Sequence, residues 1–213
     1  MVFRRCFVAS SLIVFFAFGC SGGANSSTEN TTQVVQESNV TQLFIEAKVT
    51  QKAEDVFHQG NNLLDGQRYE DAVKAYDKAI AIKVESPEAW INRGIGLTSL
   101  QRYKDAIASY DKAIAIQPDK YEALINRGIA LTKLHRYKDA IASYDRAIAI
   151  NQDLHQAYYN KACSYALQSN LELAIENLNK AMKLVPEKYN KLAKTDPDFS
   201  KVRSEKQFQE LVQ

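Results

Sequence analysis

The residues of this 213-residue chain that could do chemistry are three cysteines, three histidines and a set of evenly spaced asparagines. Cys6, Cys20 and Cys163 are an odd number, which cannot close into a disulfide framework. His58, His135 and His155 share no common spacing, and the chain has no His-x-x-x-His pair, Cys-x-x-Cys motif or Gly-rich phosphate loop. No catalytic constellation, metal site or cofactor site is therefore expected. With 27 basic and 25 acidic residues the net charge is +2, which gives no electrostatic footprint for nucleic acid. Asn92, Asn126 and Asn160 lie 34 residues apart. A primary amide both donates and accepts, so each could pair with the N–H and C=O of an extended peptide. The chemistry on offer is recognition rather than catalysis.

Cys20 has a different context. Arg4 and Arg5 precede an apolar run from Phe7 to Phe18, which Gly19 and Cys20 then close. A basic start, a short apolar stretch and small residues have the layout of a secretory signal peptide. The run is well short of the ~20 residues that a permanent membrane helix needs. Ala17-Phe18-Gly19-Cys20 resembles the lipobox of bacterial lipoproteins, although Ala17 stands where Leu is usual and Phe18 is bulkier than the usual residue. The resemblance implies that Cys20 is acylated and becomes the mature N-terminus, with residues 1–19 removed. Several acyl chains on one cysteine would anchor stably. If the family's sorting habit applies, Ser21 rather than Asp after the cysteine implies the outer membrane. The alternative is ordinary cleavage near Gly22-Gly23-Ala24 and a soluble secreted or periplasmic protein. Arg4 and Arg5 are the only charged residues before Cys20, so the mature side chains balance to zero.

Residues 20–45 are expected to form a flexible linker. The stretch Ser21 to Gln42 is rich in Ser, Thr, Asn, Gln and Gly, and buries too little to offset chain entropy. The sequons at Asn25, Asn30 and Asn39 read as accidents of that composition beside a lipobox.

The spacing of the asparagines belongs to a repeat. Residues 87–120 and 121–154 match at 25 of 34 positions without a gap, and residues 53–86 and 155–188 continue the register. Position 8 is Gly60, Gly94, Gly128 and Ala162; position 20 is Ala72, Ala106, Ala140 and Ala174. Position 24 is Tyr76, Tyr110, Tyr144 and Leu178; position 27 is Ala79, Ala113, Ala147 and Ala181. Val56, Trp90, Leu124 and Tyr158 fill position 4. The period and these positions resemble the tetratricopeptide repeat (TPR), a pair of antiparallel helices, A and B, stacked on its neighbours. The resemblance implies an all-α TPR superhelix of four helix-turn-helix repeats over 46–187, closed by capping helices over 188–213. Ser86 before Pro87 reads as an N-cap, and Asp119 with Glu122 as a capping box. In the tail, Glu187 to Lys194 reads as a helix, Pro197 breaks it, and Ser204 to Gln207 reads as a second capping box. Phe199, Val202, Phe208 and Leu211 would cover the last repeat.

In TPR proteins the A helices line a concave groove, which the resemblance assigns to positions 2, 5, 6, 9, 12 and 13. Asn92, Asn126 and Asn160 occupy position 6 and resemble the asparagine ladders with which some TPR proteins hold a chain by its backbone; His58 takes that place in the first repeat. Phe57, Ile91, Ile125 and Tyr159 at position 5, with Ile95 and Ile129 at position 9, would make the groove apolar beside the ladder. Asn61 also falls at position 9, and Cys163 there reads as a small buried filler. Three amide contacts at ~1 kcal/mol each supply roughly 3 kcal/mol, whereas micromolar binding takes about 8, so the apolar rows must contribute too. The Lys-Asn-Arg clamp that some TPR proteins use on a C-terminal carboxylate is not reproduced: its places hold Phe57, Asn61, Asn92, Glu122 and Asn126. Glu54, Glu88 and Glu122 at position 2 would repel an acidic tail. The expectation is a non-enzymatic adaptor, lipid-anchored in a bacterial envelope, that binds a protein or peptide partner in its groove. A homo-oligomeric structural protein is the other reading.

Overall fold

The computed structural model describes residues 26–213, with side chains from residue 39. Cys6, Cys20 and the signal-peptide reading lie outside the described residues. The chain divides into two units, 1–44 and 45–213. In the first, the backbone from Ser26 onward is helical, where the sequence suggests a structureless linker. The side chains described there, from residue 39, are exposed, Val40 and Leu43 included.

The second unit is a run of helical hairpins. Its A helices are the end of α1 (Ser26–Asp65), α3 (Pro87–Ser99), α5 (Tyr121–Lys133) and α7 (His155–Leu167). Its B helices are α2 (Tyr69–Ile82), α4 (Tyr103–Ile116), α6 (Tyr137–Ile150) and α8 (Leu171–Leu184). The tail forms α9 (Pro186–Thr195), a short 3-10 turn Pro197–Phe199 and α10 (Lys206–Leu211).

Each A–B turn is built in the same way. Gln67, Gln101, His135 and Ser169 all take φ near +60°. In each turn the next amide reaches back five residues, as Arg102 N to Leu97 O at 2.8 Å and Arg136 N to Leu131 O at 2.9 Å. This is a left-handed helix end without glycine. The first three B helices start on an arginine whose guanidinium bonds an Asp three residues on: Arg68–Asp71, Arg102–Asp105 and Arg136–Asp139, each at 2.6–2.7 Å. The Asp also sits favourably against the helix N-terminus.

Ser86 caps α3 as expected, accepting from Ala89 N at 3.3 Å. The two capping boxes do not form. Lys120 is the N-cap of α5 and Glu205 that of α10, neither with a side-chain cap bond, because each helix starts one residue beyond the hydroxyl or carboxylate proposed to cap it.

Inside the hairpins, Tyr76, Tyr110 and Tyr144 are fully buried against Gly60, Gly94 and Gly128. Thr98 and Thr132 meet the Tyr110 and Tyr144 hydroxyls at 3.1 and 3.4 Å. Between hairpins, Arg93 bonds Asp77 of the preceding repeat at 2.6 Å and Ser109 of its own at 2.7 Å; Arg127 does the same with Asp111 and Ser143. Lys161 meets Asp145 at 2.6 Å. Asp77, Asp111 and Asp145 of the first three B helices therefore tie each repeat to the next.

The tail closes the array as expected. Phe199, Val202 and Phe208 are buried, with Leu211 packed beside them. Tyr189, Ala193 and Val212 add to this cover.

Candidate functional site

The repeat geometry puts positions 5, 6 and 9 of successive A helices on one face, but not all are equally available. Ile91 and Ile125 at position 5 are 6% and 7% exposed, committed mainly to the core, while Ile95 and Ile129 at position 9 remain half-buried. Asn61 accepts from Tyr76 Oη at 2.8 Å and from Asn92 Nδ2 at 2.9 Å. One rung of the expected ladder is thus bonded to the neighbouring repeat. Burial pushes the Tyr76 hydroxyl up to about 12, so it stays a donor. Phe57 lines a small recess of about 70 Å³ with Glu54, Lys83 and Ser86.

The larger recess, of about 280 Å³, lies between α5, α7 and α9. Ile125, Asn126 and Ile129 come from the third repeat, and Gln156, Tyr159 and Asn160 from the fourth. Lys188, Tyr189 and Leu192 of the capping helix form the remaining wall. Asn126 and Asn160 are half-buried here. The recess therefore gathers five of the residues expected in the groove and adds three from the cap.

Tyr159 is held from beneath. Its hydroxyl donates to Asp196 Oδ2 at 2.7 Å, and its ring stacks on Tyr189 with centroids 4.7 Å apart. It is 7% exposed, more a floor than a projecting contact, because the cap packs where a fifth repeat would. Tyr189 in turn meets His155 Nδ1 through its hydroxyl. Burial, and then the Lys188 charge, hold the imidazole below its ordinary range, which favours the neutral ring. Cys163 lies behind this layer, 4% exposed, its thiol pushed well up by burial and then by Asp196 and Asp198. It is a filler, and a thiolate is disfavoured.

The sequence reading missed Lys188 and Leu192 because one is the last residue of the fourth repeat and the other lies beyond it, off the groove positions of the A helices. One signal pointed to them: position 2 is Glu54, Glu88 and Glu122 but Gln156, so the acidic row ends where the cap brings a lysine. Among the described residues no group of three or more His, Cys, Asp or Glu side chains could hold a metal ion, and no helix is long and apolar enough to cross a membrane.

The stacked hairpins, the recurrent Gly–Tyr contact and the closing helices define a helical-repeat solenoid. Family models described as tetratricopeptide repeat match residues 57–121, 121–154 and 155–188. The chain belongs to the tetratricopeptide-repeat family, whose members are in general non-catalytic scaffolds for protein interactions. Among solved structures it is similar to MamA 41-end from Desulfovibrio magneticus RS-1, at 26% identity over 75% of this chain and 93% of that one, TM-score 0.62. A second MamA protein aligns at 22% identity over 78% and 91%, TM-score 0.63. The first TPR domain of Spaghetti, bound to the HSP90 peptide SRMEEVD, aligns at 21% identity over 56% and 95%, TM-score 0.55. No curated protein matches the chain.

Proposed function

We propose that this protein is an adaptor that holds an extended segment of a partner protein along its A-helix face. The observation that carries the reading is the recess between α5, α7 and α9, where Asn126 and Asn160 stand beside Ile125, Ile129 and Leu192. Amides at repeat spacing supply backbone pairing, and the isoleucines supply apolar area. A solved TPR structure with a bound peptide supports peptide binding by this fold. On the lipobox-like Ala17-Phe18-Gly19-Cys20, the adaptor is anchored by acylated Cys20 in a bacterial envelope, where it serves envelope assembly.

Affinity capture from envelope extracts with the full chain and with Asn92→Ala/Asn126→Ala/Asn160→Ala tests the groove. Partners that the chain retains and the triple variant loses are the expected result; unchanged capture rejects the amide role. Fractionation tests the anchor: Cys20→Ala should leave the membrane fraction, and its retention there rejects acylation at Cys20.

A further inference from the structure

The recess is not electrically neutral. Along position 2 the A helices carry Glu54, Glu88 and Glu122, and then Gln156 at the recess. Glu88 is answered by Lys120 at 2.8 Å, which draws its carboxyl below the usual range. Among the described residues no carboxylate lies within 4 Å of Lys188 on the recess wall; its ammonium lies 5.2 Å from the centre of the Tyr189 ring. Lys191 and Lys194 follow on the same ten-residue helix, both exposed and neither ion-paired among the described residues, and Leu192 between them is 39% exposed. Spacing of i, i+3 and i+4 places Lys188, Lys191 and Leu192 on neighbouring positions of one face. That face therefore offers positive charge around an aliphatic side chain, next to two amides.

We infer that the occupant of this recess is an acidic, aliphatic stretch inside a partner protein, its apolar side chain seated against Ile129 and Leu192 and a neighbouring Asp or Glu facing Lys188. The inference rests on the groove reading above and adds the chemistry of the partner. The cation on the wall attracts a carboxylate and disfavours a basic segment, while Glu122, which repels a carboxylate, confines the acidic residue to the Lys188 side. Asn126 and Asn160 address a chain that runs through the recess, since each amide pairs with a mid-chain peptide unit. A single lysine is a point charge, which asks for one carboxylate and no fixed fork geometry.

The test uses the full chain and three labelled decapeptides in which Leu alternates with Glu, Gln or Lys, with binding read by fluorescence anisotropy. The Glu peptide should bind tightest, the Lys peptide weakest, and the difference should shrink with salt. Lys188→Glu should weaken the Glu peptide about fivefold, the scale of one partly exposed ion pair, and strengthen the Lys peptide. Lys188 is exposed and near the start of α9, where Glu is favourable, so the variant keeps its fold. Equal binding of all three peptides, with loss in Asn126→Ala/Asn160→Ala, overturns the charge preference and leaves the groove reading standing. Binding of none overturns both. Binding only to phosphatidylglycerol vesicles, and to no peptide, overturns the proposal in favour of a membrane-facing cap.

Discussion

Gly94 lies so close beneath Tyr110 that a Cβ built on it would stand 2.4 Å from ring atom Cε1. The ring is fully buried, and its hydroxyl is held by Thr98 at 3.1 Å, so it has nowhere to retreat. In an exposed helix Gly→Ala would gain about 1 kcal/mol. Here overpacking costs about 1–3 kcal/mol, and the clash outweighs the propensity. Gly94→Ala should lower the denaturation midpoint in urea. Adding Tyr110→Leu should recover part of the loss, because the fourth repeat already pairs Ala162 with Leu178. A Gly94→Ala variant as stable as the parent would show that the tyrosine does not require the glycine.

That pairing was readable from the sequence, because both partners recur every 34 residues and change together in the last repeat. What recurs is legible; what closes the array is not. Tyr159 reads as a groove residue by its position, yet Asp196 and Tyr189 of the tail hold it as a floor. Lys188 ends the fourth repeat and Leu192 lies beyond it, so the repeat pattern did not place them on the recess wall. The arginine ties were hidden for another reason: Arg93 and Asp77 look like ordinary surface charges until the stacking of hairpins brings them to 2.6 Å.

Those ties predict how the repeats are coupled. Arg127 links Asp111 of one repeat to Ser143 of the next and is 25% exposed. Arg127→Leu should cost about 1 kcal/mol, a charge-assisted bond lost from a partly screened site. Asp111 stays hydrated, so no buried charge is stranded. With Arg93→Leu added, the two losses should sum, since the sites lie a repeat apart. Because array stability depends on the interfaces between neighbours, the double variant should also unfold less cooperatively. Noncoincident transitions by helical signal and by Trp90 fluorescence would display this, and coincident ones would count against it.

The A–B turns carry a cost that can be removed. Gln101 and His135 both sit at φ 58°, where a side chain is disfavoured by about 1–2 kcal/mol relative to the right-handed form. Glycine bears no such penalty there but is more flexible when unfolded. Gln101→Gly should therefore stabilise by roughly 0.5–1 kcal/mol, read as a raised thermal midpoint, whereas Gln101→Val should destabilise.

The last prediction concerns the hinge between recess and cap. His155 is held below its ordinary value of 6.5 by burial first and by the Lys188 charge second. The unfolded chain therefore binds a proton more readily than the folded one. The stabilisation is complete above the unfolded value and fades as pH falls below about 6.5 towards the folded value. His155→Gln should flatten this part of the pH–stability curve. Lys188→Glu removes a cation and supplies an anion, so it should move the folded imidazole upward, visible by NMR titration of the His155 ring. An imidazole that titrates identically in the parent and in Lys188→Glu would mean that the ammonium does not act on the recess floor, and the basis for an acidic occupant would fall with it.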